Sequence, residues 1–359
     1  MKPPQYSAKV SASEICREDD NRALGHGGLQ MRRREFITLL GGAAAWPVAA
    51  RAQQERMPRI GVLMGLGESD PEGPPRVAVF KQELQNLGWT EGRNIQIEYR
   101  WGAGDADHIG NSAAELAGTM PDVLVAHLTA ATQALMLQTR TIPIIFVVAA
   151  DPVGRGLVAS LSRPGGNVTG FSNFVPSLGG KWIELLKEIS PRIKRVALLF
   201  NPEVAAGGGS FYSQPVQAAA STLAVESTLA VARNATEIEE ALAKLARDAE
   251  SGLIVLPDLF TTNHRELIVR LTAQYRLPAI YPFRYFATGG GLMSYGIDIV
   301  ELFRSAAGYV DKVLRGANPG ELPIQQPEKF EFAINLKTAR ALDLTVPRIL
   351  LARADMLID

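Results

Sequence analysis

Few residues in this chain are arranged for chemistry. GLGESD (65–70) follows an apolar run and begins like a dinucleotide-binding turn, but it lacks the third glycine. Pro71, Gly73, Pro74 and Pro75 argue against a helix starting there, and without a helix N-terminus a pyrophosphate loses its main electrostatic partner. LGGKW (178–182) resembles the end of a phosphate loop, yet Trp182 stands where a hydroxyl must reach magnesium and Val175 stands where glycine is needed. No G-x-S-x-G elbow occurs. Histidines 26, 108, 127 and 264 are scattered, and Cys16 is the only cysteine, so neither a metal centre nor a thiolate nucleophile is expected. The reading is a protein that is not an enzyme and needs no cofactor.

Other polar residues stand where a small molecule can be gripped. In open parallel sheets, ligands bind beyond the carboxyl ends of the strands. Thr129 follows the apolar run DVLVAHL, and its hydroxyl with the amides of Ala130 and Ala131 suits a carboxylate at a helix N-terminus; an ordinary N-cap explains the same residue type. Asp151, in AADPVG, suits ligand contact or turn initiation before Pro152. Asp298 ends SYGID ahead of a long helical pattern and suits an ammonium group, while Asp298 and Glu301 also form a helix-start signal. Asn173 and Ser294 are hydrogen-bonding candidates, with turn chemistry as their alternative. Phe174, Tyr212, Tyr285 and Phe286 are candidates for the walls of a cleft, with core packing as theirs.

The elements that must position these residues alternate. Apolar runs at 59–64, 94–101, 122–128, 142–148, 195–200, 253–257 and 279–283 are interleaved with helical patterns, the signature of parallel α/β architecture. One helix is expected to open with Thr236 and Glu239 as a capping box. Ile60 and Val196, Val123 and Leu253, and Pro143 and Pro278 are separated by about 136, 130 and 135 positions, an internal repeat in register. The fold expected is α/β, with two doubly wound parallel-sheet lobes joined by a multi-segment hinge. A proline-glycine crossing at 161–174, a glycine-rich one at 289–298 and a third in the tail form that hinge. The lobes are set at 53–170 with 291–318, and at 171–290 with 319–359.

Residues 31–52 read as an address. Arg32-Arg33-Arg34, a short apolar run from Phe36 to Ala50 and the small-x-small site at Ala50 and Ala52 make 31–52 a twin-arginine-type signal peptide. Fifteen apolar residues broken by Gly41, Gly42 and Pro47 fall short of the roughly twenty that span a membrane. Residues 1–30 are polar and aperiodic, and read as a disordered extension or a mis-assigned start upstream of Met31. The chain as a whole is ordinary: 359 residues, formal net charge +0, 47% hydrophobic, 21% charged. That balance argues against a nucleic-acid surface and against a membrane bundle.

Four stretches carry a resemblance: LGWTEGRNIQIEYRW (87–101), ADPVGRGLVASLSRPGGNVTGFS (150–172), GGLMSYGID (290–298) and FEFAINLKTARALDL (330–344). Through them the chain resembles the ABC-transporter substrate-binding proteins of the tryptophan/tyrosine type. The resemblance implies a type I periplasmic-binding fold with a three-segment hinge. It implies an exported, monomeric solute receptor in the periplasm that closes on an amino acid or related small anion, with an ABC permease and ATPase as partners and only peripheral contact with the membrane. By position it places Thr129 on a carboxylate, and Asn173 and Asp298 in the hinge-side cleft. A ligand-sensing domain partnering a membrane signalling protein is the alternative.

Overall fold

The structure is a computed structural model describing residues 56–103, 105–173 and 175–359. The stretch expected to be a signal peptide, with Ala50 and Ala52, lies outside the described residues, as do Cys16 and Phe174.

Apolar runs buried on both faces become the central strands of parallel sheets, as continuous hydrophobicity requires. In the first lobe these are β1 (Arg59–Met64), β2 (Gln96–Trp101), β3 (Val123–His127), β4 (Ile144–Ala149) and β5 (Val168–Ser172). The second contributes β6 (Arg195–Phe200), β7 (Glu226–Val231), β8 (Ser251–Val255), β9 (Ala279–Tyr281), β10 (Met293–Ile297), β11 (Phe330–Asn335) and β12 (Met356–Ile358). One sheet runs β2-β1-β3-β4-β5, the other β7-β6-β8-β9-β10-β11-β12. The first five strands of each follow the same order, so the repeat seen in the sequence is a repeat in space. All five are parallel; β11 then pairs antiparallel with β10.

Helices cover these sheets: α1 (Gly73–Asn86), α2 (Ala106–Gly118), α3 (Thr129–Gln138), α4 (Leu178–Ile189), α5 (Ser210–Thr222), α6 (Ala235–Leu245), α7 (Leu259–Asn263), α8 (Arg265–Gln274), α9 (Arg284–Thr288), α10 (Ile299–Leu314), α11 (Leu336–Ala341) and α12 (Arg348–Arg353). None of them is long and apolar enough to cross a membrane. Two local expectations are corrected. Helix α1 opens at Gly73, with Pro74 and Pro75 in its first turn. Proline fits there because the N–H it lacks has no intrahelical partner anyway, and the two missing donors still leave the turn poor for a phosphate. Helix α6 opens two residues early: Asn234 accepts from Glu237 N–H, and the Glu237 carboxylate accepts from Arg233 N–H, a reciprocal cap.

The lobe boundaries also differ from the expectation. A break at 170/171 would cut β5, and one at 290/291 would assign β10 to the first lobe, whereas β10 pairs with β9 and β11. The second crossing therefore falls at Asp298, after which α10 packs back against α1 of the first lobe. The segment 320–325 stays with the first lobe too, because it supplies partners for the edge strand β5. Gln325 N–H donates to Gly170 O, Ser172 N–H donates to Gln325 O, and the Thr169 hydroxyl donates to Leu322 O. The third crossing lies between 326 and 330.

Both crossover strands carry a glycine at a point of close approach. A Cβ on Gly170 would lie 2.1 Å from Phe146 O, and one on Gly296 only 1.7 Å from Pro282 O. Gly170 has φ of 150°, which a side chain rarely adopts.

Candidate functional site

The carboxyl ends of β3 and β4 face those of β6, β8 and β9 across a cavity of about 210 Å³. Leu128, Thr129, Ala130, Gln133, Val148, Ala150 and Arg155 line it from the first lobe. Asn173 lies at the crossing, and Glu203, Val204, Pro257, Asp258, Leu259, Thr262 and Phe283 line it from the second. Its volume lies below the roughly 300–1,000 Å³ typical of drug-sized pockets, so it suits a small solute. A larger depression of about 550 Å³ opens on the flank of the second lobe between β7 and α6. It runs along one edge strand, reaching only the last residue of β7, Val231, and belongs to one lobe, whereas the smaller cavity gathers strand carboxyl ends from both lobes and is the candidate site.

Strained backbone shapes the first-lobe wall. Leu128, Val148 and Asp151 have φ of 77°, 64° and 46°. For a β-branched valine this is a genuine outlier, the kind of strain that clusters at ligand sites. It coincides with a register shift between Val147 and Ala149 in the β4–β5 ladder. The Ser172 hydroxyl and Asn173 N–H both donate to Ala149 O, which pins the bulge. Asp151 Oδ1 accepts from Gly154 N–H at 2.9 Å and turns the loop that carries Arg155 to the cavity.

The polar groups divide by charge. Helix α3 begins with no side-chain cap, its cap position being Leu128, so its first N–H groups lack intrahelical acceptors. Thr129 Oγ1 accepts from Ala150 N–H at 3.1 Å, which leaves its own proton to donate. Arg155 Nη2 reaches across the cleft to Val204 O and Ala205 O, at 3.1 and 2.8 Å. No carboxylate lies within ion-pair distance of Arg155 among the described residues. Opposite, Asp258 is 8% exposed. Its carboxylate accepts from Asn201 N–H at 2.9 Å and Thr261 N–H at 2.6 Å. Burial raises its pKa to about 6, partly offset by those donors. Asn173 Oδ1 is buried with no partner, an unsatisfied acceptor in the cavity wall.

Of the residues singled out from sequence, the structure brings Thr129, Ala130 and Asn173 to this cavity. Ala131 is wholly buried. Asp151 acts in the turn and does not line the cavity. Tyr285 lines a small adjacent pocket with Arg76, and its hydroxyl lies 3.2 Å from Thr262 Oγ1. Ser294 is buried in β10 with its hydroxyl unpartnered. Asp298 caps α10, accepting from Glu301 N–H at 3.0 Å, and lines a separate pocket with Gln325 and Lys329. Tyr212 and Phe286 are core residues.

Arg155, Asp258, Thr262 and Phe283 were not singled out from the sequence. The repeat contained the signal for Asp258, since an offset of about 130 carries Leu128 onto it, and both are cap residues of the helix after the equivalent strand. Beneath the cavity, the Arg76 guanidinium donates to His127 Nε2 at 3.2 Å. The guanidinium has only donors, so this ring nitrogen accepts and the proton sits on Nδ1. Burial, and secondarily the Arg76 charge, keep His127 neutral, its pKa well below the usual value.

The family model described as ABC transporter substrate binding protein matches residues 74–358. A Tyrosine-binding protein of Clostridioides difficile (strain R20291) is 26% identical over 265 residues, covering 74% of this chain and 75% of that protein. The crystal structure of a conserved domain protein from Vibrio cholerae is 28% identical, with a TM-score of 0.76, covering 84% of this chain and 100% of the other. An ABC domain from Streptococcus pneumonia in complex with L-Trp shares the fold at 24% identity and TM-score 0.76, with the same coverage. Two repeated lobes facing across a small polar cavity, and a family match over nearly all of the described chain, lead to one conclusion: this protein belongs to the ABC transporter substrate-binding protein family, whose members bind a ligand and do not turn it over.

Proposed function

We propose that the chain is an exported receptor that closes on a zwitterionic α-amino acid and delivers it to the permease and ATPase of an ABC importer. One observation carries this reading: the first-lobe wall offers the Thr129 hydroxyl and the uncapped start of α3, and the second-lobe wall offers the buried Asp258 carboxylate. Arg155, the Thr129 hydroxyl and the uncapped start of α3 meet a carboxylate. Asp258 and Asn173 Oδ1 meet an ammonium group on the other side. Leu128, Val148, Val204 and Phe283 supply apolar wall for a side chain. The names of the tyrosine-binding relative and the L-Trp complex support an aromatic side chain. Residues 31–52 would act as the export signal that places the receptor in the periplasm, working as a monomer.

The test is a thermal-shift series on the full chain. L-tyrosine and L-tryptophan are compared with the same molecules lacking either the carboxylate or the ammonium group. At a hundredfold excess over Kd, a true ligand adds about 2.7 kcal/mol of stability. The intact amino acids are expected to shift the transition and both truncated sets to fail. Equal shifts from the acids that lack an ammonium group would rule out Asp258 as its partner, and an absence of any shift would reject the amino-acid reading.

A further inference from the structure

The loop between β1 and α1 has no part in the site described above, yet it reaches the other lobe. Asp70 Oδ2 lies 3.0 Å from Arg265 Nη2 at the start of α8, and the two side chains are only 12% and 20% exposed. Each is fixed on its own side. Asp70 Oδ1 accepts from Glu72 N–H at 3.0 Å, and Asp70 O accepts from Gly73 N–H. Arg265 Nη1 donates to Thr262 O at 3.3 Å, and the guanidinium lies 5.8 Å from the centre of the Tyr285 ring. Tyr285 in turn meets the hydroxyl of Thr262, which lines the cavity. Neither Asp70 nor Arg265 lines that cavity.

We propose that Asp70 and Arg265 form an ionic clasp that sets how much of the receptor is closed before any solute arrives, acting as a positioning pair. A ligand binding only the closed form has an apparent Kd equal to its intrinsic Kd divided by the closed fraction. The clasp therefore scales affinity for every ligand by the same factor and adds nothing to selectivity.

The test places spin labels on Leu137 of α3 and Leu229 of β7, which are 80% and 53% exposed on opposite lobes, in full chain with Cys16→Ser. The ligand-free chain is expected to give a short inter-label distance. Asp70→Asn, which keeps the acceptor for Glu72 N–H, should lengthen it. Arg265→Met should match Asp70→Asn, and the double variant should be no worse than either. Affinities for L-tyrosine and L-tryptophan should fall together, by about three- to tenfold. An unchanged distance distribution in both single variants, additive losses in the double variant, or a loss confined to one amino acid would each overturn the clasp. The affinity arm rests on the amino-acid reading, whereas the distance arm does not, so the two can fail separately.

Discussion

Asp258→Ala is expected to weaken binding of an ammonium-bearing solute by about ten- to a hundredfold, the range set by hydrogen bonds to a charged group at ~1.5–3 kcal/mol. The same change removes the cap of α7 and strands Asn201 N–H. Isothermal titration of Asp258→Asn provides the cleaner comparison, because it keeps one acceptor and the side-chain shape. Wild-type binding should depend on pH. Burial holds the Asp258 carboxyl near pKa about 6, and only the ionised form pairs with ammonium. Affinity should fall by up to about tenfold per pH unit below pH 6 and level off above it. Stability of the ligand-free chain runs the other way. A carboxyl pKa raised above its unfolded value means the folded state holds the proton more tightly. The stabilisation is present below the ordinary value near 3.8 and is lost as pH climbs to about 6, an effect of about 3 kcal/mol. Asp258→Asn should abolish both trends. If binding by the asparagine variant keeps the wild-type pH profile, the titrating group is elsewhere.

Gly296→Ala is expected to be among the most damaging single-methyl additions in the chain. Its Cβ would come within 1.7 Å of Pro282 O, a backbone atom that cannot rotate away, so β10 must separate from the β9 end. Overpacking a core typically costs ~1–3 kcal/mol and sometimes more; with backbone as the obstacle we expect about 3 kcal/mol, a fall in Tm of about 6–12 °C in calorimetry. The damage falls one residue before Ile297 and two before the crossing at Asp298, so binding should weaken as well as stability. Gly308→Ala provides the control. That residue lies within α10 with nothing within 4 Å of the added carbon, and the substitution should be neutral or stabilising by about 0.5–1 kcal/mol. A Tm for Gly296→Ala within a degree of wild type would show that the β9–β10 junction is pliable.

How much of this could be read in advance follows from what each signal depends on. Strands such as RVALLF and IPIIFVV declare themselves by apolar runs, and the repeat fixed their pairing because sequence offset and sheet order agree. Crossings were harder. Whether MSYGI belongs to one sheet or the other depends on ladder partners, which no local pattern encodes, and both glycine clusters adjoin a turn in either case. Thr129 was legible because it follows a strand and precedes a helix. Arg155 was not, since it enters the cavity only through the turn fixed by Asp151, and no local pattern encodes where that turn carries it. Asp298 looked suited to an ammonium group and serves a helix end facing another pocket, because residue type and chain position say nothing of which way the crossing turns.

The matched cap positions, leucine in one lobe and aspartate in the other, bear on how a guest is oriented. Two like halves facing each other would by themselves accept a molecule equally well either way round. Here the halves have diverged at one corresponding spot, so that one offers bare amide protons and the other a buried anion. On the proposed reading, the mismatch between the copies sets the polarity of the bound solute. Exchanging the two caps, Leu128→Asp with Asp258→Leu, would be expected to favour the guest reversed end for end.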